Sequence, residues 1–287
     1  MPRLAVLGHP VAHSRSPAMQ NAALAELGLS DWSYGAIDVA PQDFERLVRS
    51  LPGDGFAGVN ATVPHKLAAL AAADHATDAA RAIGAANTLS FTDGRIGAAN
   101  TDTAGVLDAL PRPPQGMRAL VMGAGGSARA AIWALRESGA EVEIWNRTRA
   151  KAETLAEEFG VGLMSTARNE ERGTSSFDLV LNATTVGLAE ANSDNTPEGQ
   201  PLDGSGFGAL KSLPVAADAL HAQQVVVDLV YGSNETQLIA AARAAGSACV
   251  DGLDVLVAQG AASLRLWTGA EPPLDVMRRA ARGEVAG

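Results

Sequence analysis

The stretch ALVMGAGGSARAA, residues 119–131, decides the fold. Ala119–Met122 is a short apolar strand, a glycine-rich turn follows, and a helix is predicted from about Ser127. Gly123, Gly125 and Ala128 fit the pattern G-x-G-x-x-A, with Ala124, Gly126 and Ser127 between them. A tight turn and a close backbone approach both exclude side chains. The free N–H groups at the start of the helix then suit a pyrophosphate. The same residues could form a ligand-free connection, but the strand–turn–helix context favours phosphate binding. The next strand, Val142–Trp145, ends at the ribose-reading position, about 20 residues beyond the turn. Asn146, Arg147, Thr148 and Arg149 stand there, with Lys151 close behind and no carboxylate among them. A carboxylate would accept the ribose hydroxyls and repel a phosphate; guanidinium, hydroxyl and amide groups suit a 2′-phosphate. The expected cofactor is NADP.

Outward from this turn, apolar strands alternate with helical stretches, which predicts an α/β fold with a mostly parallel sheet. Upstream, Leu4–Leu7 and Phe56–Thr62 read as strands, and Asp93-Gly94 joins Ala86–Phe91 to Ile96–Ala99 as a hairpin. Ser16 with Pro17 reads as a capped helix start, Gly28 as its end, and Pro64 as the opening of another helix. Phe44, Leu47, Val48 and Leu51 share one helical face. The run PRPPQG, residues 111–116, breaks the chain between two α/β stretches. Downstream come a helix over Ala150–Phe159 and strands at Leu179–Leu181 and Val225–Leu229, with a surface loop expected over Glu190–Gly208. Gly252–Trp267 and Leu274–Arg282 read as two final helices that must pack on something already built.

The 287 residues suffice for two ordinary domains, and 47% apolar residues supply the cores. A net charge of -10 argues against a nucleic-acid partner. The single cysteine, Cys249, allows no internal disulfide, and no Cys/His spacing resembles a metal site. There is no signal-peptide pattern and no long apolar run, so a cytoplasmic location without membrane contact is expected.

Three segments carry polar residues that a plain core does not need: His13-Ser14-Arg15-Ser16, Asn60–Lys66, and Ala86-Asn87-Thr88 with Asn100-Thr101-Asp102. Strand ends in α/β sheets are where ligands bind. Taken singly, each residue has a plainer role as a cap, a turn residue or a surface lysine.

Taken together they resemble the shikimate dehydrogenase family. The resemblance rests on Ser14-Arg15-Ser16, the Asn-x-Thr-Val-Pro-x-Lys run from Asn60 to Lys66, Ala86-Asn87-Thr88, Asn100-Thr101-Asp102, GAGGSA, Asn146-Arg147-Thr148, and Asp251-Gly252-Leu253 leading to Gln259. These occur in one order from about residue 4 to residue 269. The resemblance implies an N-terminal α/β substrate domain and a Rossmann-type NADP-binding domain over residues 105–250. The C-terminal helices would return to the substrate domain, which comprises residues 1–104 and 251–287. It implies reversible reduction of 3-dehydroshikimate to shikimate by NADPH, on the route to chorismate and the aromatic amino acids. Lys66 and Asp102 would be the catalytic pair. A positioned lysine stabilises the oxygen charge that builds as hydride reaches the ketone carbon, and it delivers the proton.

By the same resemblance, Ser14 and Ser16 would hold the substrate carboxylate, with Tyr231 nearby. Thr62, Lys66, Asn87, Asp102 and Gln259 would meet the ring oxygens. Gly123, Ala124, Gly125, Gly126 and Ser127 would take the pyrophosphate, and Asn146, Arg147, Thr148 and Lys151 the adenosine phosphate. Asp78, Leu229 and Gly252 would lie near the nicotinamide half. A homodimer is compatible with this reading. Ala61, Thr185, the Glu190–Gly208 loop and the absence of proline after Gly232 depart from the family's usual pattern. The alternatives are a quinate/shikimate dehydrogenase using NAD, a non-catalytic NADP-sensing regulator, and a methylene-tetrahydrofolate dehydrogenase. Quinate needs room for an extra ring hydroxyl, a regulator is expected to have lost Lys66 or Asp102, and the paired serines do not suit a folate.

Overall fold

A computed structural model describes residues 1–164, 173–191 and 210–284. The chain forms two compact units, Met1–Asp108 with Leu253–Gly287, and Ala109–Gly252.

The first unit is built on β1 (Arg3–Gly8), β2 (Ser33–Asp38), β3 (Phe56–Ala61), β4 (His75–Ala76), β5 (Thr88–Thr92) and β6 (Arg95–Ala99). Their order across the sheet is β2-β1-β3-β5-β6-β4. β2, β1 and β3 run parallel; β5 is antiparallel to both of its neighbours, and β4 runs parallel to β6. The period-two alternation of β1 sends Ala5 and Leu7 to one face, where they pack with Phe44, Val48 and Leu51. It sends Leu4 and Val6 to the other, where they meet Met19 and Leu24 together with Val257, Leu264 and Met277. The final helices, Gly252–Thr268 and Leu274–Arg282, therefore cover the second face of a sheet built some 200 residues earlier. That explains why β1 reads as a continuous apolar run: both of its faces are buried.

The second unit holds β7 (Arg118–Met122), β8 (Glu141–Trp145), β9 (Gly162–Leu163), β10 (Leu179–Asn182), β11 (Val225–Asp228) and β12 (Ala248–Val250). All of them pair in parallel, in the order β12-β11-β10-β7-β8-β9. Counted from β7 as first, this is the 3-2-1-4-5-6 order of the Rossmann fold, with its topological switch between β7 and β10. β10 and β11 are buried at every position, as central parallel strands should be.

Two local expectations are corrected. Ser16 is the first helical residue of Ser16–Glu26 rather than its cap: Arg15 precedes it in α-helical geometry, and no side chain caps the helix. Pro64 sits in the turn before its helix, which runs Lys66–Ala71, because Thr62 and His65 close that turn by a 2.7 Å backbone hydrogen bond. The hairpin forms as read, with Asp93 (φ 51°) and Gly94 (φ 72°) both in the left-handed region that a two-residue hairpin turn requires. From residue 192 to residue 208 the expected surface loop lies outside the described residues.

Candidate active site

In the first unit, strand direction gathers the polar segments at one edge. β1 and β3 run parallel and end there, at Gly8 and Ala61. β5 runs the other way and begins there at Thr88, opposite Ala99 at the end of β6. The segments beyond those ends carry Ser14 and Ser16, Thr62 and Lys66, Asn87, and Asn100–Asp102.

Lys66 opens its helix with its side chain 11% exposed, and Asp102 opens the helix Asp102–Ala109 with its side chain 12% exposed. Lys66 Nζ donates to Asp102 Oδ2 at 2.5 Å. Asn87 Nδ2 donates to Asp102 Oδ1 at 2.8 Å and to Gln259 Oε1 at 3.2 Å. The orientation of the Asn87 amide is fixed: its Oδ1 accepts from the Thr101 N–H at 2.7 Å, and a backbone amide can only donate. The NH2 group is thereby aimed at Asp102, whose two oxygens both serve as acceptors for this pair of donors. Gln259 arrives on the returning helix, which comes close because residue 105 is glycine: a Cβ there would lie 2.7 Å from the Gln259 Cβ.

A buried hydroxyl and amide network underlies this layer. Asn60 Nδ2 lies within hydrogen-bonding distance of Asn87 O, Thr88 Oγ1 and Ser263 Oγ, while Tyr34 Oη donates to Asn60 Oδ1 at 2.7 Å. Thr101 Oγ1 joins Ser263 Oγ at 3.0 Å. Asn60 stood inside a run that sequence reading singled out, but nothing in the sequence pointed to Ser263 or Tyr34.

Thr62 Cγ2 fills the space above Gly8, so the first and third strand ends interlock. Ser14 Oγ accepts from the Ser16 N–H at 3.3 Å, and Ser16 is buried. The loop carrying them is tied to the end of β2 by Asp38, which accepts from the Val11 N–H at 3.3 Å and pairs with His9 at 2.6 Å. The His9 hydrogen bond is the main cause holding the Asp38 carboxyl below the usual carboxylate range. His65 is buried against the Phe44 ring, with Nε2 2.9 Å from Val39 O. Desolvation pushes its pKa down, so it is a neutral packing residue beside Lys66. Asp78 opens the helix Asp78–Ile83 with a fully exposed side chain and pairs with Arg81 at 2.5 Å.

In the second unit, β7, β10 and β11 end side by side at Met122, Asn182 and Asp228. Gly123 has φ +124°, and a Cβ there would lie 2.8 Å from Ala183 O across the switch point. Gly125 precedes the helix Gly126–Glu137 and would carry a Cβ into open space. The turn is therefore closed on its strand side and open beside Gly125. Beyond β8, Asn146 Nδ2 donates to Thr148 O at 2.9 Å and shapes the loop. Arg149 is taken up by Glu153 at 2.8 Å. Arg147 and Lys151 are exposed and make no ion pair among the described residues. Gly252 lies against the segment after β11, where a Cβ would come 2.8 Å from Leu229 O, so these two residues are neighbours. Tyr231 follows two residues after Leu229 and is half-buried. Sequence reading missed the buried carboxylate at the end of β11, Asp228.

Three family models match the chain: the shikimate dehydrogenase substrate binding domain over residues 6–89, shikimate / quinate 5-dehydrogenase over 111–193, and the shikimate 5'-dehydrogenase C-terminal domain over 252–282. A shikimate dehydrogenase (NADP(+)) of Methanopyrus kandleri is 41% identical, covering 96% of this chain and 93% of its own. The chain belongs to the shikimate dehydrogenase family. A second family member, a shikimate dehydrogenase (NADP(+)) of Thermus thermophilus, is 41% identical over 98% of both chains. Among solved structures, a shikimate 5-dehydrogenase from Thermus thermophilus, in complex with NADP(H) and shikimate, superposes with a TM-score of 0.85. It is 40% identical and covers 99% of this chain and all of its own. The family's α/β architecture, with an N-terminal substrate domain and a Rossmann-like unit, is the one seen here.

Proposed function

We propose that the protein interconverts 3-dehydroshikimate and shikimate with NADP, as an oxidoreductase acting on a CH–OH group in the route to aromatic amino acids. The observation that carries this reading is the Lys66–Asp102 pair at 2.5 Å, buttressed by Asn87 at the edge of the first sheet. NADPH, when bound, supplies the hydride. Lys66 points its ammonium at the ketone oxygen, stabilises the charge that builds there and gives up a proton to it. Asp102 orients that ammonium and accepts from a ring hydroxyl. Asn87, Thr62 and Gln259 fix the ring by its other oxygens, and the Ser14 and Ser16 hydroxyls receive the substrate carboxylate, with Tyr231 as a further contact. In the oxidative direction an uncharged Lys66 amine takes the proton from the substrate hydroxyl.

The residues at the glycine-rich turn fit NADP. Gly125 leaves open space before the N-terminus of the helix Gly126–Glu137, whose positive end suits the pyrophosphate over Gly123–Ser127. Arg147 and Lys151, with Asn146 and Thr148, supply cationic and polar partners for the 2′-phosphate. Asp78, Leu229 and Gly252 serve the nicotinamide half. The test is a steady-state assay of shikimate and quinate, each with NADP and with NAD. Turnover confined mainly to shikimate with NADP supports the proposal; comparable rates with quinate and NAD move the protein to a broader specificity.

A further inference from the structure

We infer that Asp228 is a positioning residue that fixes the backbone of Leu229 and Val230 on the nicotinamide side of the cofactor site, by tying together the ends of β10 and β11 and the start of the helix Gln237–Ala244. This rests on the NADP reading proposed above.

Asp228 is 1% exposed. Its Oδ1 accepts from Asn182 Nδ2 at 2.9 Å and from the Val230 N–H at 3.1 Å, and its Oδ2 accepts from the Thr236 hydroxyl at 2.7 Å. Three donors from three segments converge on one side chain. Each of those segments holds further chain. Asn182 Oδ1 accepts from the Thr184 N–H at 3.0 Å and the Thr184 hydroxyl at 2.7 Å, which shapes the turn after β10. Thr236 Oγ1 caps the following helix, accepting from the Ile239 N–H at 3.3 Å. The bond to Val230 bends the backbone around Leu229, whose own N–H donates to Asn182 O at 2.9 Å. Gly252 then packs on the carbonyls of this segment, where a Cβ would lie 2.7 Å from Val230 O.

The groups facing the carboxylate are neutral: the Asn182 amide from β10, the Val230 N–H, and the Thr236 hydroxyl at the helix start. None of its hydrogen-bond partners is a cation, and burial pushes its pKa up to about 6. A buried carboxylate without a counter-ion weakens a fold, so stability alone does not explain its presence. Asparagine would be easier to bury, but it offers one acceptor oxygen where three donors need two. The carboxylate is suited to holding this backbone in one conformation, at the strand ends where α/β sheets bind their ligands.

The test compares wild type, Asp228→Asn and Thr236→Val in thermal melting, NADP binding, and KM for NADP and for shikimate. Asp228→Asn relieves the buried charge, so its Tm should equal or exceed that of wild type. Thr236→Val loses a helix cap, so its Tm should fall. Despite these opposite Tm shifts, both should raise KM for NADP, by about tenfold for Asp228→Asn and less for Thr236→Val, while KM for shikimate stays within about twofold. A folded Asp228→Asn or Thr236→Val protein with unchanged KM for NADP, or with both KM values raised equally, overturns the inference. Wild-type protein that fails to bind NADP overturns the cofactor reading itself, and this inference with it.

Discussion

Asp102 takes the Lys66 ammonium on one carboxylate oxygen at 2.5 Å and the Asn87 amide on the other at 2.8 Å. The aspartate is thereby held as an acceptor between two donors, and the lysine is held in one direction. Replacing Asp102 by Asn puts an NH2 group in place of one of those acceptors and lets the ammonium turn away. Asp102→Asn is predicted to lower kcat about 10²-fold or more while the protein still binds NADP. Steady-state kinetics combined with NADP titration on one preparation checks both halves.

The basic residues after β8 carry the cofactor choice. Arg149 is occupied by Glu153, whereas Arg147 is exposed and pairs with no acid among the described residues. Arg147→Ala should weaken NADP at least tenfold, the scale of one lost charge-assisted hydrogen bond, and leave NAD nearly unaffected. Binding isotherms for the two dinucleotides decide it; equal losses would remove Arg147 from 2′-phosphate recognition.

Gly105 links packing to substrate binding. A Cβ at this position would lie 2.7 Å from the Gln259 Cβ and 3.1 Å from Val255 O. Gly105→Ala must push the returning helix outward, at a cost of about 1–3 kcal/mol, and separate Gln259 from Asn87. The expected result is a lower Tm together with a raised KM for shikimate, at unchanged affinity for NADP. Denaturant melts and kinetics read the two effects separately.

Asp228 makes a prediction about stability and pH. Its pKa is raised by burial from 3.8 to about 6 in the folded chain. The folded state therefore holds the proton longer than the unfolded one. The favourable contribution is complete below the unfolded value and is lost as pH rises through about 6. A shift of this size corresponds to about 3 kcal/mol at most. Asp228→Asn lacks the titration, so its stability relative to wild type should grow between pH 4 and pH 7, by about 1–3 kcal/mol. Urea unfolding at the two pH values tests this; a pH-independent difference would contradict it.

Sequence legibility followed how local each signal was. The GAGGSA turn declared the second unit because its requirements, small residues between an apolar strand and a helix, lie within one short window. β1 and β10 were legible as buried apolar runs. β2 was not: Ser33–Asp38 is an edge strand with only Tyr34 fully buried, so it shows no clean alternation. Lys66 and Asp102 stand out as polar residues at strand ends, and Asp93-Gly94 marks the β5–β6 hairpin, but their contact depends on β5 pairing with β3, which no local pattern states. Ser263 reaches Asn60 across 203 residues, and a serine on an apolar helix reads as neutral filler. Asp228 lies inside the predicted strand Val225–Leu229 and carries no role there, because its hydrogen-bond partners Asn182 and Thr236 lie elsewhere in the chain. Ser16 with Pro17 carries the composition of a capped helix start, but the backbone angles that place Arg15 at the cap position are not fixed by composition.

The most direct measurement is the turnover of Lys66→Ala against wild type, with shikimate and NADP, alongside NADP binding by both proteins. The expected result is a fall in kcat of about 10²–10⁴-fold with NADP affinity nearly intact, the loss that follows from removing a positioned proton donor. A Lys66→Ala protein that turns over at close to the wild-type rate would contradict the assignment of Lys66 and the mechanism built on it.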